Sequence, residues 1–581
     1  MALSASTYSH DRKWWKEAVI YQIYPSSFYD SNGDGVGDIP GIVEKLPYLV
    51  SLGVDCIWLS PHYASPQIDM GYDISNYQDI YPPYGTLEQT QELIDACHAY
   101  NLKIIFDLVI NHTSSEHTWF KESRSSKTNP KRDWYFWKSP RGWKGGKPLA
   151  PNNWGSIFSG PAWEFDEATQ QFYLHLFATE MPDLNWENAE TRKAIYETSM
   201  HFWLKRGIDG FRVDVANKYS KNIAFPDAEI INPNVYEQPN SKLHYNGPRM
   251  HEYLSEIYEV LSQYRAFDGG EIMTVGELPN TPLESDVRAY VSAAKKQLGM
   301  VFHFDTVSLG LGKTPGNRTL LQPYTAKDVK RTLAKWQSFV NGTDSWTTVF
   351  LENHDEGRSI SRFGNDKTEE LRTRSGKLLA MVLATMTGTL FLYQGQEIGM
   401  INMPVSWNLS EYKDVWVVNI LKQLVKNGAN KERMDQVLNA LQMVARDHAR
   451  TPMQWDESPH AGFCGEKATP WMRVNDNYPK INVINESAKS DSLLNFWKRM
   501  IGLRKEYKDI FVYGTFTLVD TDDDIFAFIK EGEDGKRATT VANMSSKAVP
   551  WKPSSRLLLS NVPAGNDTDT LQSWEARIYF N

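Results

Sequence analysis

The sequence predicts an α/β protein: a (β/α)8 barrel of the TIM type, a subdomain inserted after its third strand, and a C-terminal antiparallel β-domain. Three observations predict it. Eight short runs rich in β-branched and aromatic residues recur between residues 19 and 395, amphipathic stretches separate them, and from about residue 511 the hydrophobic period switches to two.

The eight runs are VIYQIY (19–24), CIWLSP (56–61), KIIFDLVI (103–110), GFRVDV (210–215), IMTVGEL (272–278), MVFHFD (300–305), TTVFLENHD (347–355) and TLFLYQG (389–395). They read as parallel strands buried on both faces. Stretches such as TLEQTQELIDACHAYN and ETRKAIYETSMHFWLKRG carry apolar residues at helical spacing. The third and fourth strands are separated by about a hundred residues rich in Trp, Pro, Gly and Asn, too long for a structureless loop. Residues 114–187 are therefore assigned to an inserted subdomain, leaving 1–113 and 188–510 to the barrel. Residues 400–480 read as a second, irregular insertion, followed by a helix, SLLNFWKRMIGLRKEY. FVYGTFTLVD, IFAFIKEG, KRATTVANMS, RLLLS and ARIYFN then alternate as strands of a β-sandwich-like domain over 511–581.

Composition bounds the function. The 581 residues are 41% hydrophobic and carry a formal net charge of −9 with no long basic run, which argues against nucleic acid or an anionic membrane as partner. No stretch has the ~20 apolar residues of a membrane span, and the N-terminal MALSASTYSHDRKWWKEA lacks the apolar core of a secretory signal. Three scattered cysteines, Cys56, Cys97 and Cys464, suit neither a disulfide framework nor a cysteine-based zinc site. A glycan on the Asn111-His112-Thr113 sequon would sit among the residues singled out below, so a reduced, cytoplasmic protein is expected. Aromatics make up 13% of the chain, which fits either a large core or a ligand with apolar faces and polar edges.

In such barrels functional groups project from the C-terminal ends of the strands. The third strand ends Asp107…Asn111-His112, the fourth Arg212-Val213-Asp214, the fifth Gly276-Glu277 and the seventh Asn353-His354-Asp355; the loop after the second carries Asp69 to Asp73. A lone acid there is a cap or turn residue. Three acids on strands four, five and seven, with two histidines and an arginine, would meet at one mouth, and mutual repulsion would drive their proton affinities apart. Paired carboxylates without a metal-binding histidine cluster suggest glycoside hydrolysis, with one carboxylate attacking the anomeric carbon and another protonating the leaving oxygen. Arg212, forced into a buried strand, would hold its neighbour Asp214 ionised.

DLVINH, GFRVD, VGEL and ENHD resemble the four signature regions of the α-amylase superfamily, glycoside hydrolase family thirteen. WWKEAVIYQIYPSSF, PDLNWEN, EIMTVGE and RDHARTPMQWD are similar to its fungal maltases and isomaltases and its bacterial oligo-1,6-glucosidases. The resemblance implies Asp214 as nucleophile, Glu277 as general acid/base and Asp355 as transition-state stabiliser. It implies that Asp69, Tyr72, His112, Arg212, His354 and Arg446 hold the non-reducing glucose of a small oligosaccharide, and that Phe177 is a further substrate contact. Retention of configuration follows, with the Asp214 and Glu277 carboxyls expected about 5–5.5 Å apart rather than near 9 Å.

DSNGDGVGD places Asp30, Asn32, Asp34 and Asp38 at alternate positions of a calcium loop, with the Val36 carbonyl between them. Gly41 stands where an EF-hand has its bidentate Glu, so the alternative is an Asp/Asn/Gly turn that needs no ion. A structural Ca²⁺, similar to that of the α-glucosidase loops, is expected.

Val215, after the nucleophile, resembles isomaltases, whereas maltases tend to carry threonine there. Valine gives an apolar wall beside the departing sugar where threonine gives a hydroxyl of the same volume; the plainer reading is a β-branched residue suited to a strand end. Val215-Ala216-Asn217 mixes the two patterns. Met181, Glu356 and Pro279-Asn280 also depart from the relatives on the aglycone side. The expectation is an exo-acting α-glucosidase leaning to α-1,6 links, with sucrose and maltose as further substrates. Alternatives are a maltase, a transglucosidase or sucrose isomerase on the same scaffold, and a non-catalytic binding protein.

Overall fold

A computed structural model describes residues 11–312, 318–552, 555–563 and 569–581. The segment read for a secretory signal begins in residues 1–10, outside the described residues. Eight parallel strands form the barrel: β1 (Val19–Ile23), β2 (Cys56–Leu59), β3 (Lys103–Leu108), β4 (Gly210–Val213), β5 (Met273–Glu277), β6 (Met300–Phe302), β7 (Thr348–Val349) and β8 (Thr389–Tyr393). The ladder runs β6-β5-β4-β3-β2-β1-β8-β7. Between β7 and β6 the seam is closed by the Thr348 hydroxyl donating to the Val301 carbonyl at 2.9 Å. Each of the eight sequence runs supplies one strand. All are shorter than their runs, the seventh most, because there the chain leaves the sheet to carry Asn353, His354 and Asp355 beyond it.

The strand period of two sorts side chains between the barrel interior and the helices outside. Ile20, Cys56, Trp58, Ile105, Met273, Val275, Met300, Phe302 and Phe391 pack in one buried cluster. Gly210 leaves room for them: a Cβ there would lie 2.4 Å from the Met273 carbonyl oxygen. Gly210→Ala therefore overpacks the interior, a change that costs about 1–3 kcal/mol.

Residues following β3 form a helix, Thr118–Ser125, and a three-stranded antiparallel sheet in which Gln171–Leu174 lies between Trp137–Lys138 and Trp163–Asp166. The loop leaving that sheet carries Phe177 and Met181 back to the barrel mouth. The chain then returns through a helix that takes a π turn over Tyr196–His201.

The segment 400–480, expected to be irregular, contains a helical hairpin, α1 (Val415–Lys426) and α2 (Lys431–Val444). Its pattern is helical on inspection: Trp416, Val417, Ile420, Leu421 and Leu424 face the core from α1, as do Val437, Leu441 and, from beyond α2, Ala445. Asp414 and Asn430 cap the two N-termini, and Gly428 takes the left-handed conformation (φ 62°) between them.

The C-terminal strands Thr515–Leu518, Ile525–Glu531, Arg537–Asn543, Ala576–Phe580 and Arg556–Ser560 lie side by side in that order. A second, two-stranded layer, Val549–Pro550 with Thr570–Leu571, shares a small apolar cluster with the sheet.

Candidate active site

Parity along the strands builds the site. Asp107 is two residues beyond the inward Ile105, and Glu277 two beyond the inward Val275; Arg212 pairs with both Asp107 and Val275 across the ladder. All three therefore point into the barrel mouth, and Asp214, two beyond Arg212, joins them.

Arg212 is the hub. Its Nη1 donates to Asp107 Oδ1 and to Asp214 Oδ1, both at 2.6 Å, and its Nη2 to Glu277 Oε2 at 2.8 Å. One guanidinium thus grips the presumed nucleophile and acid/base together, which excludes the ~9 Å separation of wide inverting pairs. A single cation cannot balance three buried carboxylates. Burial, opposed by Arg212 and reinforced by Asp214 and Asp355, pushes Glu277 up to about 7. Burial, opposed by Arg212 and reinforced by Asp107, pushes Asp214 up to about 6. Both carboxyls rise together, through burial first and mutual repulsion second, so the site lifts the pair more than it drives the two apart.

Asp355 has the opposite environment. Arg450 Nη2 donates to its Oδ1 at 2.9 Å and Arg446 Nη1 at 3.2 Å. Burial works against the anion, yet the charges of His354, Arg446, Arg450 and Arg318 outweigh it and hold the carboxyl well below its usual range. His354 itself is driven by burial down to about 3, so at neutral pH the arginines keep Asp355 ionised. Arg446 and Arg450 stand one helical turn apart on Asp447–Arg450 and its N-cap, so both guanidinia share a face. That face is anchored by Asp414, whose Oδ2 accepts from Arg446 Nε at 2.6 Å and Arg450 Nη1 at 2.9 Å while its Oδ1 caps α1. Arg446 Nη2 also donates to Asp69 Oδ1 at 2.7 Å. Asp69 is braced in turn, because Asp73 accepts from the Ile68 and Asp69 amides.

A cavity of about 1210 Å³ opens over these groups. Asp69, Tyr72, His112, Phe177, Asp214, Val215, Glu277, Asp355 and Arg446 line it. Two residues expected to touch sugar lie behind its wall. Arg212 is enclosed by its three carboxylates, and His354 is stacked on Tyr72 (centroids 5.2 Å apart, 8° between planes) with Nδ1 against Gln22 at 2.8 Å. His112 faces the Tyr72 carbonyl through Nε2 at 3.2 Å, and burial drives it down to about 4, so it is neutral.

Val215 does not lie in a strand: β4 ends at Val213, and Val215 has φ +36°. The left-handed region is costly for a β-branched residue, so the strand-end explanation fails. This turn aims the Val215 amide at Glu277 Oε2, 3.2 Å away, and its side chain at the cavity. Asn217 is fully buried and ties the turn to the next loop, donating to the Pro279 carbonyl and the Thr281 hydroxyl. Glu356 is neutralised by Arg318 and Arg362 at 2.9 and 2.8 Å. Sequence reasoning did not place Asp107, Arg450 and Asp414 in the site. RDHARTPMQWD carried a signal for Arg450, through its spacing from Arg446; Asp414 lay in a segment read as irregular.

In the Asp30–Asp38 loop, the Asp30 carboxylate accepts from the amides of Asn32, Gly33 and Gly35, and Asn32 and Asp34 accept from amides two residues on. Asp38 caps the helix Ile39–Leu52 and binds Ser31. These bonds leave lone pairs on Asp30, Asn32 and Asp34 and the Val36 carbonyl as the hard oxygen donors that Ca²⁺ prefers. Among the described residues no three His, Cys, Asp or Glu side chains converge as a ready-made metal cluster.

A barrel mouth where one arginine holds two carboxyls side by side, with a third acid lining the same cavity, is the arrangement a glycoside hydrolase uses. Residues 22–514 match the model of the alpha-amylase catalytic domain, and the chain belongs to that family. It is 50% identical to an alpha-glucosidase of Candida albicans, over 98% of this chain and 99% of that one. It is 48% identical to the oligo-1,6-glucosidase IMA2 of Saccharomyces cerevisiae, over the full length of both. Among solved structures it is similar to the isomaltulose synthase PalI of Klebsiella sp. LX3, with TM-score 0.90 and 36% identity over 98% of this chain and 99% of that one. No helix among the described residues is long and apolar enough to cross a membrane.

Proposed function

We propose that the protein is a retaining exo-α-glucosidase that releases glucose from the non-reducing end of short α-glucosides, favouring α-1,6 links and accepting sucrose and maltose. The observation that carries this reading is the single guanidinium shared by Asp214 and Glu277, whose carboxyls it holds side by side, both lifted towards neutrality by burial. At neutral pH Asp214 attacks the anomeric carbon as an anion. Glu277 gives its proton to the departing oxygen, then takes one from the water that releases glucose. Asp355, fixed between Arg446 and Arg450, faces the positive charge that develops on the sugar. The α-1,6 preference rests on the apolar Val215 wall in the cavity.

Initial rates of glucose release from isomaltose and maltose, with Asp214→Asn as the blank, test the reading. Activity in that variant overturns the nucleophile, and maltose well ahead of isomaltose overturns the linkage preference. The likeness to isomaltulose synthase and to the trehalulose synthase MutB supports a second reading, transfer of glucose within sucrose; product analysis on sucrose separates it from hydrolysis.

A structural Ca²⁺ held by Asp30, Asn32, Asp34, Asp38 and the Val36 carbonyl is likewise proposed, supported by oxygen donors at alternate positions. Metal content and melting temperature unmoved by exhaustive chelation would overturn it. A cytoplasmic location is supported by three unpaired thiols and by the complete burial of Asn111, which closes its sequon to glycans; cell fractionation tests it.

A further inference from the structure

The turn that follows the nucleophile ends in Lys218, whose amide closes it on the Val215 carbonyl at 2.9 Å. The side chain is buried, yet it lines the cavity. Its ammonium lies 4.4 Å from the ring centroid of Phe177 on one side and 4.4 Å from that of Tyr245 on the other. Cation–π contacts with two rings offset part of the cost of burial, but among the described residues no acceptor lies within hydrogen-bonding distance of the nitrogen. Burial accordingly pushes Lys218 down to about 7, against the pull of Asp183, Glu277 and Asp214. By contrast, Lys221, one turn on, is fully engaged with Asp183, Asn111 and the Lys218 carbonyl. Lys218 is therefore an amine, shared between its charged and neutral forms near neutral pH, whose hydrogen-bonding capacity the folded chain leaves unused.

Two further unused groups line the same cavity. Asn240 Oδ1 faces His244 Nε2 at 2.9 Å, which makes Nε2 the protonated nitrogen and Nδ1 a bare acceptor. Asn240 Nδ2 and His244 Nδ1 are both buried without a partner. Donors and an acceptor together fit hydroxyl groups, which both give and take hydrogen bonds; an anion would want donors alone. The flanking Phe177 and Tyr245 offer the apolar surface that suits the C–H face of a pyranose.

We infer that Lys218 is a specificity-determining residue that holds hydroxyls of the departing sugar, with Asn240 and His244 beside it, so that the enzyme favours glucosides whose aglycone is itself a sugar. The inference rests on the α-glucosidase reading. Its test compares kcat and KM on isomaltose and on p-nitrophenyl α-glucoside for the wild type, Lys218→Met and Lys218→Arg. Methionine keeps the length and the contact with both rings but donates nothing. KM for isomaltose should rise about tenfold in Lys218→Met, as expected for losing a charged donor, while KM for the aryl substrate changes less than twofold and the melting temperature holds. Arginine, which keeps the charge, should recover part of the isomaltose KM. Equal effects on both substrates, no effect on either, or a change confined to the pH profile of kcat would overturn the assignment. Should methionine fail to fold, the arginine variant decides by the same comparison: an isomaltose KM shifted more than twofold beyond the aryl KM supports the assignment, and parallel KM values overturn it. A wild type inactive on both substrates fails the α-glucosidase reading itself, and this one with it.

Discussion

Replacing Asp107 by asparagine separates its two jobs. Its Oδ1 accepts from Arg212 Nη1 at 2.6 Å and its Oδ2 from Trp58 Nε1 at 2.7 Å, in a position without solvent. An asparagine brings one acceptor to two donors, so whichever way it turns, one buried donor loses its partner at a cost of about 1–3 kcal/mol. The lost charge acts on Asp214. Both carboxylates touch the same nitrogen at 2.6 Å, so the two oxygens lie within about 5 Å of each other, where like charges repel by roughly 3 kcal/mol at an effective dielectric of 20. Arg212 already neutralises much of that, and burial lifts Asp107 itself to about 6, so it is only partly ionised where Asp214 titrates; about half a pH unit is the expected shift. Removing a like charge favours ionisation, so the Asp214 value falls from about 6. The acidic limb of kcat/KM moves down accordingly, while the maximum drops about ten- to a hundredfold as Arg212 loses a brace. Glucose release from isomaltose between about pH 4 and pH 9 reads both effects. A limb that stays in place or moves up would refute the reasoning, because Asp107 would then carry no charge at the site.

Three other perturbations have clear signs. Glu277 has its folded value raised to about 7 from 4.5; its burial costs nothing below about pH 4.5, and the cost grows to the order of 3 kcal/mol above pH 7. Glu277→Gln should therefore melt higher than the wild type by about 2 °C at pH 8 and by little at pH 5; a pH-independent difference counts against it. Val215→Gly relieves about 1–2 kcal/mol of left-handed strain but gives up a buried valine side chain worth about as much, so stability should change little while isomaltose and maltose rates come together; an unchanged rate ratio counts against the apolar wall. Asp414→Asn keeps the α1 cap, since either residue caps well, but strips the anion from between Arg446 and Arg450. A stability loss of about 3 kcal/mol by denaturant melts and a raised KM on every substrate should follow; a change on one substrate alone would disprove the common anchor.

Period and composition made the barrel legible, because parallel strands buried on both faces leave apolar runs that little else produces. Their places at the C-terminal ends of the fourth and fifth strands then carried Arg212, Asp214 and Glu277 to one mouth without coordinates. What period cannot express is partnership across sequence distance. Asp107 looked like another strand-end acid because its meaning lies in Arg212, 105 residues away. Asp414 was hidden for the same reason, as cap and counter-ion at once. Backbone conformation is a second blind spot: Val215 reads as a strand residue by type and stands in the left-handed region by position. The hairpin of α1 and α2 was missed differently, since a Pro- and Asn-rich surround masked a helical pattern present in the letters themselves.

Asp414 closes one end of α1 with the same carboxylate that anchors Arg446 and Arg450, and the cavity-facing side of α1 presents Trp416, Ile420, Gln423 and Asn427. These four recur at intervals of four, three and four residues, one stripe along the helix and its C-cap, and the N-cap at the other end is moored to the arginines proposed to serve the first sugar. The helix cannot slide or tilt to admit a new leaving group without dragging Arg446 along. On the proposed function, a different leaving group is then met by exchanging side chains along the stripe and not by moving the backbone.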